Sequence, residues 1–273
     1  LGACLMEQKD RIEDAKAFLL MAANIKPNWP ATNLNLGNLY RINGEIEESL
    51  SILRASVEAG IDEPDIFNSL GVSLQCVLAD DEAKKCFLRA LQLDPSHIDA
   101  RNNLGNTLQE LGRFGEAEAS YREAIVLKSN FADAHNNLGS TLKELGRFDE
   151  AEENYTRAIA LKPDYIEAIR NRWRVLFDQG RYEAALGDAE RCARNGAIQY
   201  DFTSLYALGR TEEIYKRLEE KSQIDGENIS IAAFAAFFAQ SEQKPTAYNF
   251  CPNPMDFVHF SNLSSHLKES NPY

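Results

Sequence analysis

The sequence predicts an all-α chain, a right-handed superhelical solenoid of stacked helical hairpins closed by a C-terminal capping helix. Three observations carry that prediction. The tetrapeptide Asn-Asn-Leu-Gly occurs at residues 102–105 and again at 136–139, an interval of 34 residues. Leu-Gly pairs, alanines and aromatic residues recur in the same phase over successive units. Within a unit the apolar places fall at helical spacing, Leu104 and Leu108 in one segment, then Ala117, Tyr121, Ala124 and Ile125 in a second. A hairpin of that length cannot bury its own apolar stripe, so neighbours must stack.

Each element can be placed in order. Residues 1–29 are the remainder of a first unit, with Ala15, Ala22 and Pro27 in phase. Unit 30–63 carries Leu36-Gly37, Tyr40, Gly44 and Ser49, and unit 64–97 carries Leu70-Gly71, Ala83, Phe87, Ala90 and Pro95. Units 98–131 and 132–165 share the run ELGRF, whose Gly112 and Gly146 can end a helix in the left-handed conformation. Pro95 and Pro163 close second helices where a missing N–H costs little. Unit 166–199 keeps Ala168, Gly180, Tyr182 and Ala185, but Trp173 stands where the others have glycine. Together 1–199 are expected to form one solenoid. Residues 200–243 read as a degenerate hairpin followed by an apolar helix, 229–240, that caps the last open face. Residues 244–273 hold four prolines and no repeat phase, and read as a linker or the start of a further domain. With no initiator methionine and an opening that reads as mid-helix, the chain is expected to be part of a longer protein.

Composition excludes several classes of function. The chain of 273 residues is 44% hydrophobic and 26% charged, with a formal net charge of −13. That charge is repelled by nucleic-acid phosphates and by anionic membranes, so neither is an expected partner. The longest apolar run is too short to cross a bilayer. Five widely spaced cysteines, with no C-x-x-C pair, predict neither a disulfide framework nor a zinc site, and imply a reducing, cytoplasmic setting.

The Leu-Gly pair, the later alanine, the aromatic, the second alanine and the closing proline, at a period of 34, resemble the tetratricopeptide repeat. The likeness covers residues 1–199. It implies a solenoid whose first helices line a concave groove that holds another protein. Tetratricopeptide domains that grip acidic chaperone tails need lysine and arginine on successive first helices. Here Asp99 and Glu167 stand near those places, so a neutral or basic ligand is expected instead.

Asn35, Asn103, Asn137 and Asn171 occupy one place in their units, two residues before the glycine place, with Ser69 in the unit between. Asn38 and Asn106 follow one helical turn later. Two roles fit these amides. Stacked first helices lie about 8–10 Å apart, close to three residues of extended chain at about 3.3 Å each. Such a ladder could therefore bond the backbone of a strand laid along the groove. Alternatively the amides bond to the adjacent hairpin and hold the stack together. An asparagine ladder is a feature of the O-linked N-acetylglucosamine transferases, whose repeats NNLG and its surroundings resemble. Asn102 and Asn136, one residue earlier, are expected toward the groove mouth.

Nothing in the sequence assembles a catalytic constellation, and no catalytic residue, metal ligand or cofactor is assigned. No GxSxG, P-loop or GxGxxG is present. His97 and His135 fall in the repeats and have packing or surface roles. Asp256, His259 and His266 lack the spacing of a facial metal triad. The segment YNFCPNPMDF, 248–257, resembles the lead-in to a tetratricopeptide-linked 2-oxoglutarate and iron(II) oxygenase domain. That resemblance leaves an alternative to a plain scaffold: the chain as the substrate-recruiting arm of a larger enzyme, oxygenase or glycosyltransferase, whose catalytic domain lies outside it.

Overall fold

A residue in the left-handed conformation closes the first helix of successive units, and the hairpins follow from it. The structure is a computed structural model and describes residues 12–197 and 199–224. Gly112 has φ 70°, and its N–H and that of Arg113 return to the carbonyls of Gln109 and Leu108 at 2.9 and 2.8 Å. These paired bonds satisfy carbonyls that the helix end leaves open. The same pair of bonds recurs at Gly44, Gly146, Gly180 and Gly209. In unit 64–97 the place is held by Leu78, with φ 57° and 85% exposure.

Among the described residues there are thirteen helices and no strand. Helix α1 (Ile12–Ile25) belongs to the first remnant. Four hairpins follow: α2 (Pro30–Ile42) with α3 (Ile46–Glu58), α4 (Pro64–Cys76) with α5 (Asp80–Leu93), α6 (Ile98–Glu110) with α7 (Phe114–Leu127), and α8 (Ala132–Glu144) with α9 (Phe148–Leu161). Then come α10 (Ile166–Asp178) with α11 (Tyr182–Arg194), and the shorter α12 (Gln199–Ala207) with α13 (Thr211–Ile224). Pro30 and Pro64 open α2 and α4, where the proline ring presets the helical φ and no N–H is missed.

The chain divides into two compact units, residues 1–165 and 166–273. The units part just before the repeat in which Trp173 replaces glycine. The expected capping helix 229–240 and the stretch 244–273 lie outside the described residues.

Inside the first unit each hairpin is closed by a small residue against a large one. A Cβ on Gly105 would stand 2.6 Å from the Tyr121 ring, and one on Gly71 would stand 2.6 Å from the Phe87 ring. Gly139 and Tyr155 repeat the relationship, as do Gly37 and Leu53. All four large side chains are fully buried, each contributing roughly 1.5–3 kcal/mol of apolar burial. Ala117 and Ala124 flank Tyr121 at full burial, which lets the two helices approach closely.

The second unit is packed differently. Trp173, Leu176, Ala185 and Ala189 form one buried cluster, with Phe177 and Tyr200 against it. The Trp173 indole N–H donates to Ser204 Oγ at 2.9 Å, and Tyr200 meets its ring edge-on at 4.4 Å. Arg172 clasps the buried Asp188 through two bonds of 2.6 and 2.7 Å. Leu186, Phe202, Leu205, Ile214 and Leu218 form the next cluster, joining α11 to the short hairpin.

Candidate functional site

The site follows from the way first helices meet in the first unit. Helices α2, α4, α6 and α8 pack in sequence, each against the next. Their successive turns carry the asparagines at equivalent heights. Asn35 and Asn38 stand on α2, Asn103 and Asn106 on α6, and Asn137 on α8, all half-buried. Asn171 is half-buried on α10, in the second unit.

A repeated asparagine bond ties α6 to α4 and α8 to α6. Asn103 Nδ2 donates to Asn68 Oδ1 at 3.0 Å, and one repeat later Asn137 Nδ2 donates to Asn102 Oδ1 at 3.3 Å. Asn137 Nδ2 also donates to Asn106 Oδ1 at 3.0 Å, and Asn136 Nδ2 donates to Asn137 Oδ1 at 3.3 Å. Tyr121, the large half of the glycine pair, donates its hydroxyl to Asn106 Oδ1 at 2.7 Å. Asn137 is thus engaged at both its nitrogen and its oxygen. Asn103 spends one N–H, and its carbonyl oxygen has no partner among the described residues.

Asn102 and Asn136 are 7% and 1% exposed, which corrects their expected place at the groove mouth. Adjacent helical residues point about 100° apart. The turn that directs Asn103 and Asn137 outward therefore sends their predecessors into the joint between helices.

A second row of bonds runs one turn further on. Gln75 bonds Thr107 at 2.9 Å and Gln109 bonds Thr141 at 3.0 Å, again one repeat apart. Sequence reasoning passed over these residues, although TLQE at 107–110 and TLKE at 141–144 carry the threonine in phase. On α2 the place of Gln75 and Gln109 is held by Arg41.

The surroundings are acidic and chemically quiet. Asp65, Asp99 and Asp133 are exposed at the second residue of α4, α6 and α8, where the positive helix end favours them. His97 caps α6 by accepting from the Ala100 N–H at 3.1 Å, and its other nitrogen stands 3.1 Å from Asp65. His135 is buried in α8 against Asn154 and the Ser129 carbonyl. On the second helices Arg147 bridges Glu118 and Glu150; its bonds to Glu150 hold that carboxyl below its usual range. Burial pushes the Cys86 thiol up to about 11, away from nucleophilic form. Among the described residues no three His, Cys, Asp or Glu side chains gather as a metal site, and no helix is long and apolar enough to cross a membrane. Asp256, His259 and His266 lie outside the described residues.

Models of the tetratricopeptide repeat match residues 86–119, 105–146 and 132–165. Tetratricopeptide repeats are therefore present in this chain. The peroxisomal targeting signal receptor of Candida glabrata is 31% identical over 86 residues, which are 32% of this chain and 15% of the receptor. That of Saccharomyces cerevisiae is 30% identical over 86 residues, 32% and 14% of the two chains. The chain thus spans about 15% of the length of these curated relatives. Among solved structures, YrrB, described as a TPR protein with an unusual peptide-binding site, has a TM-score of 0.51 and 25% identity, covering 62% of this chain and 87% of YrrB. Pseudomonas aeruginosa PilF has a TM-score of 0.57 at 19% identity, covering 78% and 84%, a likeness of fold alone. The repeat content, with the likeness to YrrB, points to a protein-interaction scaffold.

Proposed function

We propose that the tetratricopeptide repeats of this chain hold an extended segment of another protein along α2, α4, α6 and α8, and that the asparagine ladder bonds its backbone. The observation that carries this reading is the unspent bonding capacity of the ladder. Asn35 and Asn38 make no side-chain hydrogen bond with any described residue, and Asn103 spends one donor of its amide. Amides kept half-buried with open donors and acceptors suit a ligand that supplies backbone C=O and N–H groups. Asn106 and Asn137, tied to each other, support the groove from beneath. The likeness to YrrB, with its peptide-binding site, supports the reading. Asp65, Asp99 and Asp133 favour a neutral or basic segment. The free Cys76, Cys86 and Cys192 suit a reducing compartment such as the cytoplasm. An arm that recruits substrate for a larger enzyme would use the same groove.

The test is binding of short random peptides by the native chain and by Asn35→Ala/Asn38→Ala. Loss of two to four hydrogen bonds, at about 0.5–1.5 kcal/mol each, weakens the retained peptides at least about fivefold. The melting temperature stays the same, because no internal partner is lost. Unchanged affinity in the double variant would overturn the ladder.

A further inference from the structure

The turns inside the hairpins of the first unit carry a row of exposed, large apolar side chains. Ile42 ends α2, Val77 and Leu78 join α4 to α5, and Leu145 and Phe148 flank the turn from α8 to α9; all five are exposed. In the turn from α6 to α7, Leu111 and Phe114 hold the places of Leu145 and Phe148 and are half-buried. First helices that pack side by side bring their turns side by side as well, so the row follows one edge of the unit.

Leu78 shows that the row is more than a by-product of the repeat. Its φ of 57° puts a bulky side chain in the left-handed region, where the other hairpin turns of this unit have Gly44, Gly112 and Gly146. Its N–H and that of Ala79 return to the carbonyls of Gln75 and Leu74, both at 3.0 Å, the pair of bonds that the glycine turns make. The turn closes without any need of a side chain, and at 85% exposure the leucine gains almost nothing from packing. Strain that the fold does not offset points to something outside the fold.

Charge and spacing describe the occupant. Glu47, Glu48 and Glu110 are exposed at the same helix ends and make no ion pair with any described residue. Arg113 and Arg147 at these turns are already taken up, by Glu116 and by Glu118 and Glu150, and Arg41 is half-buried on α2. With a net charge of −13 the chain repels a second copy of itself and attracts a basic partner. Neighbouring first helices lie about 8–10 Å apart. An extended segment covers that distance in about three residues, which turns its side chains to the opposite face at each step. Two turns of α-helix advance about 11 Å and bring the same face back. We infer that this edge docks a basic amphipathic helix of another protein, laid across the hairpin turns with apolar residues about seven apart against Ile42, Leu78 and Phe148. The edge is separate from the groove, and the inference does not depend on the peptide-binding reading above.

The probe is a synthetic helical peptide of alanine, leucine and lysine with its leucines on one face. One control has the same composition with the leucines scattered round the helix, and a second keeps the pattern with glutamate in place of lysine. Fluorescence anisotropy with the whole chain is expected to show the patterned lysine peptide binding at least about tenfold tighter than either control. Leu78→Gly removes an anchor and relieves the left-handed strain together, so it should weaken that peptide at least about fivefold while melting no lower than the native chain. Lost binding in a variant of undiminished stability is not a folding defect. Phe148→Ala is the second variant, read beside its melting curve. Equal binding of the patterned and scattered lysine peptides, or unchanged binding by Leu78→Gly, overturns the edge. Preference for the glutamate peptide overturns the basic partner. Weakening by Asn103→Ala with none by Leu78→Gly moves the helix into the groove and overturns the inference. A native chain that dimerises in sedimentation, beside a monomeric Leu78→Gly, gives the edge to a second copy and overturns it as well.

Discussion

Trp173 and Ala189 exchange the sizes that Gly105 and Tyr121 hold sixteen residues apart in the first unit, and both lie in one buried cluster. The large side chain has moved from the second helix to the first. Trp173→Gly should therefore cost about 3–5 kcal/mol for the lost packing, with about 1 more for glycine inside a helix. Adding Ala189→Tyr restores the arrangement of Gly105 and Tyr121 and should recover part of that loss. Urea unfolding of the single and double variants measures it, and simple additivity of two losses would contradict the size exchange.

Leu78 sits at the one first-helix end in the first unit's hairpins where a left-handed residue is not glycine. The left-handed backbone costs a residue with a Cβ about 1–2 kcal/mol, and glycine returns about 0.5–1 of that through the entropy of the unfolded chain. An exposed Leu78 loses little packing on removal. Leu78→Gly is expected to raise stability by up to about 1 kcal/mol, whereas Gly112→Ala lowers it by a similar amount. Thermal melts of the two variants should move in opposite directions.

Asn137→Ala should lower the melting temperature, in contrast to Asn35→Ala. Removing Asn137 leaves the buried Asn102 Oδ1 without the donor that reached it, at a cost of about 1–3 kcal/mol. A melt of Asn137→Ala that matched the native chain would show that this bond adds nothing to the stack.

Acid should loosen the N-terminal hairpin through Glu45. Its carboxylate accepts from Lys16 Nζ at 2.6 and 2.9 Å and from Asn43, and these bonds hold its pKa below the ordinary 4.5. A depressed folded value means the contribution is complete above pH 4.5 and is lost as the pH falls through the lowered value. Glu45→Gln should melt lower than the native chain at neutral pH. The gap should close in acid, and a gap constant down to pH 3 would rule the contact out as its cause.

Much of the fold was legible because a fixed interval places each Leu-Gly pair, each turn glycine and each large residue in the same environment. The fate of the doubled asparagine was not. NNLG shows that two amides adjoin, but which of them enters the joint depends on how the neighbouring first helix is rotated against its own, a relation between units.

The asparagine bond gives the array a direction. Asn103 reaches back to Asn68, and Asn102 receives Asn137, so unit 98–131 offers a donor to the repeat before it and an acceptor to the repeat after it. Such a unit is its own matching neighbour. A tandem duplication of residues 98–131 would meet the original with the same chemistry on both sides and leave no amide stranded, so a gene encoding this stretch can lengthen by copying without first inventing a new joint.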